Sequence, residues 1–490
     1  MQTFGDFLSA LVRGLPPHSQ KNTSAMHTLT LSTLLCILTL TCRAQDTKPL
    51  TLQSALTIAR SDNTSLAIAR KESSIAQAEG RELNAMWYPS VTIAGEYTHT
   101  LSGIAAVTSL GTLAGDVLNT LEPLIASNPP LLGIVEGIAD TPIRLPLVPR
   151  NTASVGVEIG WMIFSGGRRI QASKIARAMT TLATQKLSAT ESAIDLSVVE
   201  SYFGAQLAEE VVALRKKSLE SLTEHLRQAR SLEREGLLIP AERLTAEVAV
   251  EQAKALLATA HSNALVAHNA LLTLLNTNFP SIDLSTPLFM PSSLPTKEAL
   301  YTLIEQSPTI GMFRQQTAIA THSLTIEKGR YLPSVALLGH QQLWSVGLNK
   351  NLFPRTAVGV GLSWTLFDGL AREGAVARSR SQLAASEFAE QKAVDDIRLA
   401  IDKFHSTMID SRAEYEAECT TERLAEELVR SRRKAFGEGL ATSSEVVDAE
   451  VLLCGARVAK MVALYELDIA LCSLLAIVGC TDNYLDYIEL

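Results

Sequence analysis

The side chains that most often carry chemistry, cysteine and histidine, are few and scattered in this 490-residue chain. Cys36 and Cys42 lie near the N-terminus, and His261 and His268 could share a helix face, but no carboxylate has the spacing to complete a metal site. The other four cysteines fit no zinc or CxxC pattern and are interpreted as small side chains packed among helices: Cys419, Cys454, Cys472 and Cys480. We expect no metal, no cofactor and no enzymatic activity, because no nucleophile or base has a partner at usable spacing.

Carboxylates at the starts of two predicted helices are the other chemically suggestive group. Thr442-Ser443-Ser444-Glu445 has the sequence of a capping box, with Thr442 at the N-cap and Glu445 at N3. Pro240 and Glu242 hold the corresponding N1 and N3 positions earlier in the chain. Asp448, three residues after Glu445, lies on the same helix face but beyond the capping turn. Capping explains Glu445, whereas the plain alternative for Asp448 is a solvated surface.

The elements that must position these residues are two very long helical hairpins. Arg168 to Arg234 contains no proline and one interior glycine, Gly204, so a helix here would reach roughly 100 Å at 1.5 Å per residue. A turn then leads into a second helix from Ala241 to about Leu275. Helices this long need neighbours along their whole length, as in a coiled coil or a helical barrel. The same hairpin recurs, with helices predicted over Ala371 to Phe436 and Ser443 to about Val478.

The chain is internally duplicated. Trp161 and Phe164 recur as Trp364 and Phe367, an offset of 203 residues that also relates Glu235-Gly236-Leu237 to Glu438-Gly439-Leu440. Upstream the offset is 244, so the first copy has an insertion between about Thr100 and Ala153. The predicted domains are a first repeat over 45–276, a proline-rich linker over 277–296, a second repeat over 297–479 and a tail over 480–490.

Ahead of each hairpin the hydrophobic period changes from a helix, predicted in the first copy over Leu52 to Ala85, to strands. Each strand is about ten residues long, the length of a tilted membrane strand with an apolar face toward lipid. An ordinary half-buried sheet shows the same alternation, but four strands cannot close a barrel, so several chains must share one. Leu101 to Thr152 is interpreted as a loop with one short amphipathic helix. The four strands are predicted near Ser90–Thr98, Ser154–Ile163, Val335–Leu343 and Val358–Leu366.

The first 44 residues indicate a secretory signal peptide, since an apolar stretch from Leu29 to Leu40 precedes the small-x-small site Cys42-Arg43-Ala44. Met26 is an alternative start, which would make residues 1–25 an extension, and the sequence before Cys42 is a poor lipobox. The formal net charge is −8, and no basic patch is present. Both observations argue against a nucleic-acid partner.

Helix, two strands and a long hairpin, repeated after an export signal, resemble the TolC-like outer-membrane efflux protein family over roughly residues 50–480. The motifs that carry the resemblance are Tyr88-Pro89-Ser90, Trp161 to Arg168, Trp364 to Gly369, and the two Gly-Leu tips followed by Glu and Ala-Glu-Val. The resemblance implies a mainly α fold with a β-barrel part. Long hairpins would form a trimeric α-barrel tunnel, and each chain would contribute four strands to a shared twelve-stranded outer-membrane β-barrel.

The same resemblance implies an exit duct in the outer membrane of a Gram-negative bacterium, with its helices in the periplasm. The duct would belong to a tripartite efflux or type I secretion system. Its partners would be two further copies of the chain, outer-membrane lipid, a periplasmic adaptor and an inner-membrane pump. The alternative is a coiled-coil stalk or adhesin-like protein without a pore, which would not need four lipid-length strands.

The resemblance also implies which residues act. Leu237 and Leu440, exposed beside Gly236 and Gly439, would dock the adaptor. The residues expected around a periplasmic aperture are Glu445, Asp448, Glu242 and Phe436, of which Glu445 and Asp448 would form an acidic ring. The family's polar links in the closed state do not carry over, because their positions hold Ala241 with Phe436 and Glu242 with Ala441. Either apolar contacts, with Phe436 a candidate, hold the aperture closed, or the channel rests partly open.

Overall fold

The computed structural model describes residues 49–101, 104–109, 142–148, 150–277, 283–347 and 354–488. The predicted signal peptide and the predicted amphipathic helix around Leu110 to Leu121 lie outside these residues. Over the described part, the chain is dominated by long α-helices, with a four-stranded antiparallel sheet and two short two-stranded pairings.

Two helical hairpins form most of the structure, as the sequence predicts. Helix α3 (Arg168–Arg234) and helix α4 (Pro240–Leu274) form the first, and α7 (Ala371–Gly437) and α8 (Ser443–Val478) form the second. Both α3 and α7 run for 67 residues without a break. Each long helix therefore extends roughly 100 Å at 1.5 Å per residue.

Four shorter helices pack beside the hairpins: α1 (Leu52–Asp62), α2 (Thr64–Asn84), α5 (Lys297–Leu303) and α6 (Pro308–Gly329). The single helix predicted over Leu52 to Ala85 is wrong, because Asn63 divides it. Asn63 has an extended backbone with ψ 126°, and its side-chain oxygen accepts hydrogen bonds from the N–H groups of Ser65 and Leu66. A short amide side chain that caps a new helix in this way competes with continuation of the old one.

The four-stranded sheet confirms the predicted strands in number and position. Its strands are ordered β2 (Ser90–His99), β5 (Asn151–Ser165), β7 (Ser334–Val346) and β8 (Thr356–Ser363), and neighbours run antiparallel. The pleat sends alternate side chains to opposite faces. One face carries small and polar residues, such as Ser90, Thr92, Glu158, Gly160, His340 and Gly359. The other carries apolar residues, such as Val91, Ile93, Ile159, Leu337, Val360 and Leu362.

Strand β8 ends at Ser363, three residues before the predicted end at Leu366. The alternation continues in the sequence, but the partner strand β7 begins at Ser334, which pairs with Ser363, so the residues after Ser363 have no described strand beside them. The guanidinium of Arg372 donates to the carbonyl oxygens of Thr365 and Leu366, at 2.9 and 2.8 Å. A side chain from the start of α7 therefore takes the place of a sheet partner.

The internal duplication extends to a matched pair of side-chain joints between strand and helix. In the first copy the indole N–H of Trp161 donates to the carbonyl of Trp87 at 3.0 Å, and the guanidinium of Arg169 lies 4.2 Å from a Trp87 ring centroid. In the second copy Trp364 donates to the carbonyl of Tyr331 at 3.1 Å, and Arg372 lies 4.9 Å from the Tyr331 ring. Hydrogen bonding and cation–π contact thus fix each passage from sheet to hairpin.

The segment from Leu101 to Thr152, predicted to be a loop with one helix, contains two strands in its described part. Strands β3 (Ile104–Ser109) and β4 (Pro142–Val148) pair antiparallel as a separate two-stranded ribbon. Prolines at Pro142 and Pro146 weaken the strand signal in the sequence, although a two-stranded ribbon leaves each strand an edge where proline is tolerated.

A small separate unit is formed by the two shortest strands. Strand β1 (Pro49–Leu50) pairs in parallel with β6 (Asp283–Leu284), which lies within the predicted linker.

The core of the larger unit lies where α3 and α8 meet the residues that follow the second repeat. Tyr202, Phe203 and Leu471 are fully buried there, as is Tyr484 from a C-terminal 3-10 segment (Thr481–Tyr487). Among the described helices, α8 is long and apolar enough to cross a membrane by length and composition, but 61% of its most apolar window is buried inside the structure. Because Tyr484 is buried, the C-terminal tail is packed against the helices, although the sequence predicted no structure for it.

Candidate functional site

The tips of the two hairpins share one apolar cluster. Phe436, near the end of α7, is only 1% exposed and packs with Val446 from the start of α8. Leu238 and Ala441 from the two turns pack against the same cluster. The first hairpin supplies most of its buried members, namely Leu222, Leu226, Ala229, Ala246, Ala249, Val250 and Ala253. The tips of the two hairpins therefore pack against each other within one chain.

The turns at the tips have a backbone conformation that favours glycine. Gly236 has φ 74° and Gly439 has φ 75°, the left-handed region that side chains disfavour. The next residues project into solvent, with Leu237 71% exposed and Leu440 76% exposed. Ile239 is also exposed. These two leucines hold corresponding positions in the two repeats, and each leaves apolar area exposed at a hairpin tip.

The proposed aperture residues Glu242 and Phe436 face inward in the single chain. One carboxylate oxygen of Glu242 accepts the backbone N–H of Ser443 at 2.6 Å, so the first hairpin supplies a cap for the first turn of α8. Phe436 lies in the apolar cluster with its ring 4.6 Å from that of His225, in an edge-on arrangement. Both residues therefore join the two hairpins of one chain.

The other two proposed aperture residues have different surroundings. Thr442 and Glu445 form the capping box that the sequence predicts, with hydrogen bonds in both directions. Glu445 also forms an ion pair with Arg432 at 3.2 Å, so part of its charge is compensated. Asp448 is exposed, and its partner in the structure is the hydroxyl of Ser444, at 3.5 Å. The negative charge of Asp448 is thus less compensated by its neighbours than that of Glu445.

A buried polar network behind the tips was not found from the sequence. His225 on α3 is 3% exposed, and its Nε2 lies 2.7 Å from the hydroxyl of Ser443. Glu450 on α8 is also buried; it forms an ion pair with Arg433 at 2.5 Å and accepts a hydrogen bond from Ser221 at 2.8 Å. The available signal was the presence of polar residues on otherwise apolar helix stripes.

The environment of His225 opposes its protonation. Burial, followed by the nearby positive charge of Arg433, lowers the pKa of His225 to about 4, while the carboxylate of Glu242 acts in the opposite direction. The imidazole is therefore neutral at pH 7. In the neutral ring one nitrogen bonds to Ser443, and the other, Nδ1, is buried and has no hydrogen-bond partner among the described residues.

The four-stranded sheet has one strongly apolar face that is exposed in the single chain. Val91, Ile93 and Tyr97 on β2 are between 65% and 71% exposed, and Val358 and Val360 on β8 are exposed to a similar degree. The opposite face carries glycine, hydroxyl and charged groups. Within the described residues, no group of three or more His, Cys, Asp or Glu side chains is arranged to hold a metal ion.

A strongly apolar outer face on an antiparallel sheet, attached to helical hairpins roughly 100 Å long, defines a class of protein: a membrane channel with a helical extension. The model of the family described as outer membrane efflux protein matches residues 148–277 and 299–480, together more than half of the chain. The chain therefore belongs to the outer membrane efflux protein family and is an outer-membrane protein of efflux transport. The resemblance drawn from its motifs is confirmed.

Individual relatives agree with this assignment. The outer membrane efflux protein BepC of Brucella suis biovar 1 (strain 1330) is 24% identical over 339 residues, covering 67% of this chain and 73% of BepC. Among solved structures, the outer membrane protein VceC of Vibrio cholerae has a TM-score of 0.69 at 15% identity, covering 87% of this chain and 96% of VceC. The open state of the Neisseria gonorrhoeae MtrE outer membrane channel has a TM-score of 0.66 at 20% identity, with 88% and 89% covered. The structural likenesses show a shared fold.

Proposed function

We propose that this chain is the exit duct of a tripartite efflux or type I secretion system, built from three copies that share one twelve-stranded barrel. The observation that carries the proposal is the four-stranded sheet with one exposed apolar face. In the described chain β2 pairs only with β5, and β8 pairs only with β7. Open sheet edges are not stable in lipid, because their backbone N–H and C=O groups would have no partners.

Joining β8 of one copy to β2 of the next removes every open edge of this sheet. One chain is too small, since membrane barrels have at least about eight strands. Three copies close a barrel whose lumen is lined by the face of Ser90, Glu158 and His340. The hairpins of the three copies would then continue this lumen as a helical tunnel into the periplasm. A pore-free stalk leaves the exposed apolar face of the sheet without a role.

The proposed partners are a periplasmic adaptor, which binds the tips, and an inner-membrane pump that supplies the cargo. The docking surface consists of Leu237 and Leu440, which are exposed at both tips and offer apolar contact area. The proposed aperture lies near the same tips. There Asp448 is the main contributor to an acidic ring, with Glu445 a weaker one because Arg432 pairs with it.

The stoichiometry is tested by light scattering on detergent-extracted protein, with the detergent contribution subtracted. We expect the mass of a trimer of the 52.9 kDa chain, less any cleaved signal. A monodisperse monomer that retains its β signal by circular dichroism would overturn the shared barrel.

Docking is tested with the double variant Leu237→Asp and Leu440→Asp. We expect export to be lost while trimers remain in the outer membrane, because two charges replace the apolar contact. The matched control, Leu237→Met with Leu440→Met, keeps apolar side chains of similar volume and should export normally. Normal export by the aspartate variant would show that the tip leucines do not dock the adaptor.

A further inference from the structure

Two hydrogen bonds from the first hairpin meet at one residue of the second hairpin, Ser443. Ser443 is the first residue of α8 and is fully buried. Its hydroxyl bonds to His225 on α3, and its backbone N–H donates to Glu242 on α4. Both helices of the first hairpin thus hold the start of α8. We name this arrangement of His225, Glu242 and Ser443 the tip clamp.

A proton on His225 is incompatible with the tip clamp as it stands. In the neutral ring, Nε2 bonds to the Ser443 hydroxyl, and Nδ1 needs no donor partner if it carries the lone pair. In the protonated ring Nδ1 must carry an N–H, and within the described part of the chain that buried atom has no acceptor. The added charge would also lie in the apolar cluster, against the ring of Phe436. An unpaired, buried cation of this kind is strongly disfavoured.

Charged groups on the surrounding helices do not remove this conflict. On α7, Arg433 faces His225 and disfavours a second positive charge. Glu450 on α8 is already paired with Arg433 and hydrogen-bonded to Ser221. On α4, the carboxylate of Glu242 favours a cation, but it is occupied by the N–H of Ser443. On α3 itself, Glu224 is paired with Arg227 at the surface.

We propose that His225 is a proton switch in the tip clamp, and that acidification shifts the start of α8 toward release from the first hairpin. Protonation moves the imidazole toward water, which breaks the bond to Ser443. Ser443 then loses one of its two links to the first hairpin, and Glu242 holds the α8 terminus alone. One consequence depends on the proposed function: in a trimeric duct, separation of the hairpins at their tips widens the periplasmic end.

The direction and size of the effect follow from proton linkage. A released His225 regains an ordinary pKa near 6.5, whereas the clamped one has a pKa of about 4. The open form therefore binds more protons between these values, and the clamp weakens as the pH falls from 6.5 toward 4. Going from pH 7 to pH 5 should shift the opening equilibrium by roughly twenty-fold toward release.

Hydrogen exchange of the full-length protein in detergent tests the switch without requiring a working duct. The measured quantity is the protection of the amides in the first turn of α8, corrected for the intrinsic effect of pH on exchange. In the unmodified protein we expect protection to fall about twenty-fold between pH 7 and pH 5. Unchanged protection over this range would overturn the proposal.

The variant His225→Gln is the matched control. Its side-chain amide can donate to Ser443 but cannot titrate, so protection should stay constant from pH 7 to pH 5. An equal pH response in this variant would assign the effect to a different group and refute the role of His225. If His225→Gln does not fold, Ser443→Ala takes its place. It removes the bond to Ser443 and should show low protection at pH 7, with a much smaller further loss at pH 5.

Conductance of the channel in planar bilayers separates the switch from the proposed duct. We expect conductance to rise at pH 5 in the unmodified protein and not in His225→Gln. Loss of protection without any change in conductance would leave the switch standing and would overturn the placement of the aperture at the hairpin tips.

Discussion

The C-terminal 3-10 segment provides the sharpest quantitative test of the packing, because one buried carboxylate holds it. Asp195 on α3 is 2% exposed. It accepts two hydrogen bonds from the guanidinium of Arg60, at 2.9 and 2.7 Å, and one from the hydroxyl of Thr481 at 2.7 Å. Arg60 also bonds to Asp482 at 2.6 Å. The perturbation is Asp195→Asn, which keeps the shape and removes the charge.

The expected loss is about 2–3 kcal/mol of local stability. Breaking a fully buried ion pair costs roughly 3–5 kcal/mol, but the side chain of Arg60 is 41% exposed, and water replaces part of the lost contact. The matched control is Asp482→Asn, which affects the same arginine. Because Asp482 is 79% exposed, its pair with Arg60 contributes less than about 1 kcal/mol.

Hydrogen exchange of the segment from Thr481 to Tyr487 measures this difference. At about 1.4 kcal/mol per factor of ten, Asp195→Asn should accelerate exchange by roughly thirty-fold to a hundred-fold. Asp482→Asn should accelerate it by less than about five-fold. If both variants exchange at the rate of the unmodified protein, burial of Tyr484 alone holds the segment, and the reasoning about the buried carboxylate is wrong.

Three further predictions concern a buried carboxyl group, the turn glycines and the acidic residues near the tips. Burial raises the pKa of Asp468 well above its ordinary value, so the folded chain keeps a proton that the unfolded chain loses above about pH 4. The free energy of unfolding should therefore fall as the pH rises above about 4. Thermal unfolding measures this pH dependence, and Asp468→Asn should flatten it. Gly236→Ala and Gly439→Ala each force a side chain into the left-handed region and should cost about 1 kcal/mol, measured as reduced protection of the tip amides. Glu445→Gln with Asp448→Asn should weaken cation selectivity in planar bilayers, with most of the effect reproduced by the Asp448 change alone; unchanged reversal potentials would show that these carboxylates do not line the aperture.

The helical hairpins could be predicted closely because their signals are local. The helix over Arg168 to Arg234 begins and ends in the structure at the predicted residues. Absence of proline, glycine at the turn and the capping box at Thr442 each act within a few residues of the chain. Strand positions could also be predicted, because the alternation of apolar and polar side chains follows directly from the pleat.

Prediction from hydrophobic periodicity was wrong at two element boundaries. The helical pattern from Leu52 to Ala85 is continuous in its apolar residues, yet the side chain of Asn63 caps a new helix and ends the old one. The pattern from Val358 to Leu366 alternates throughout, yet β8 ends at Ser363 because its partner β7 begins at the paired residue, Ser334. Hydrophobic periodicity reports neither a capping side chain nor the length of a partner strand.

The sequence by itself determined the duplicated architecture, the tips, the capping residues and the family. Only the tertiary structure decided which polar residues meet across the two hairpins. His225 and Ser443 are 218 residues apart, and Asp195 and Thr481 are 286 apart. The helical period places each of these residues on a face of its own helix. Their pairing depends on how far one hairpin is shifted along the other, and that shift is set by packing along the whole length of both.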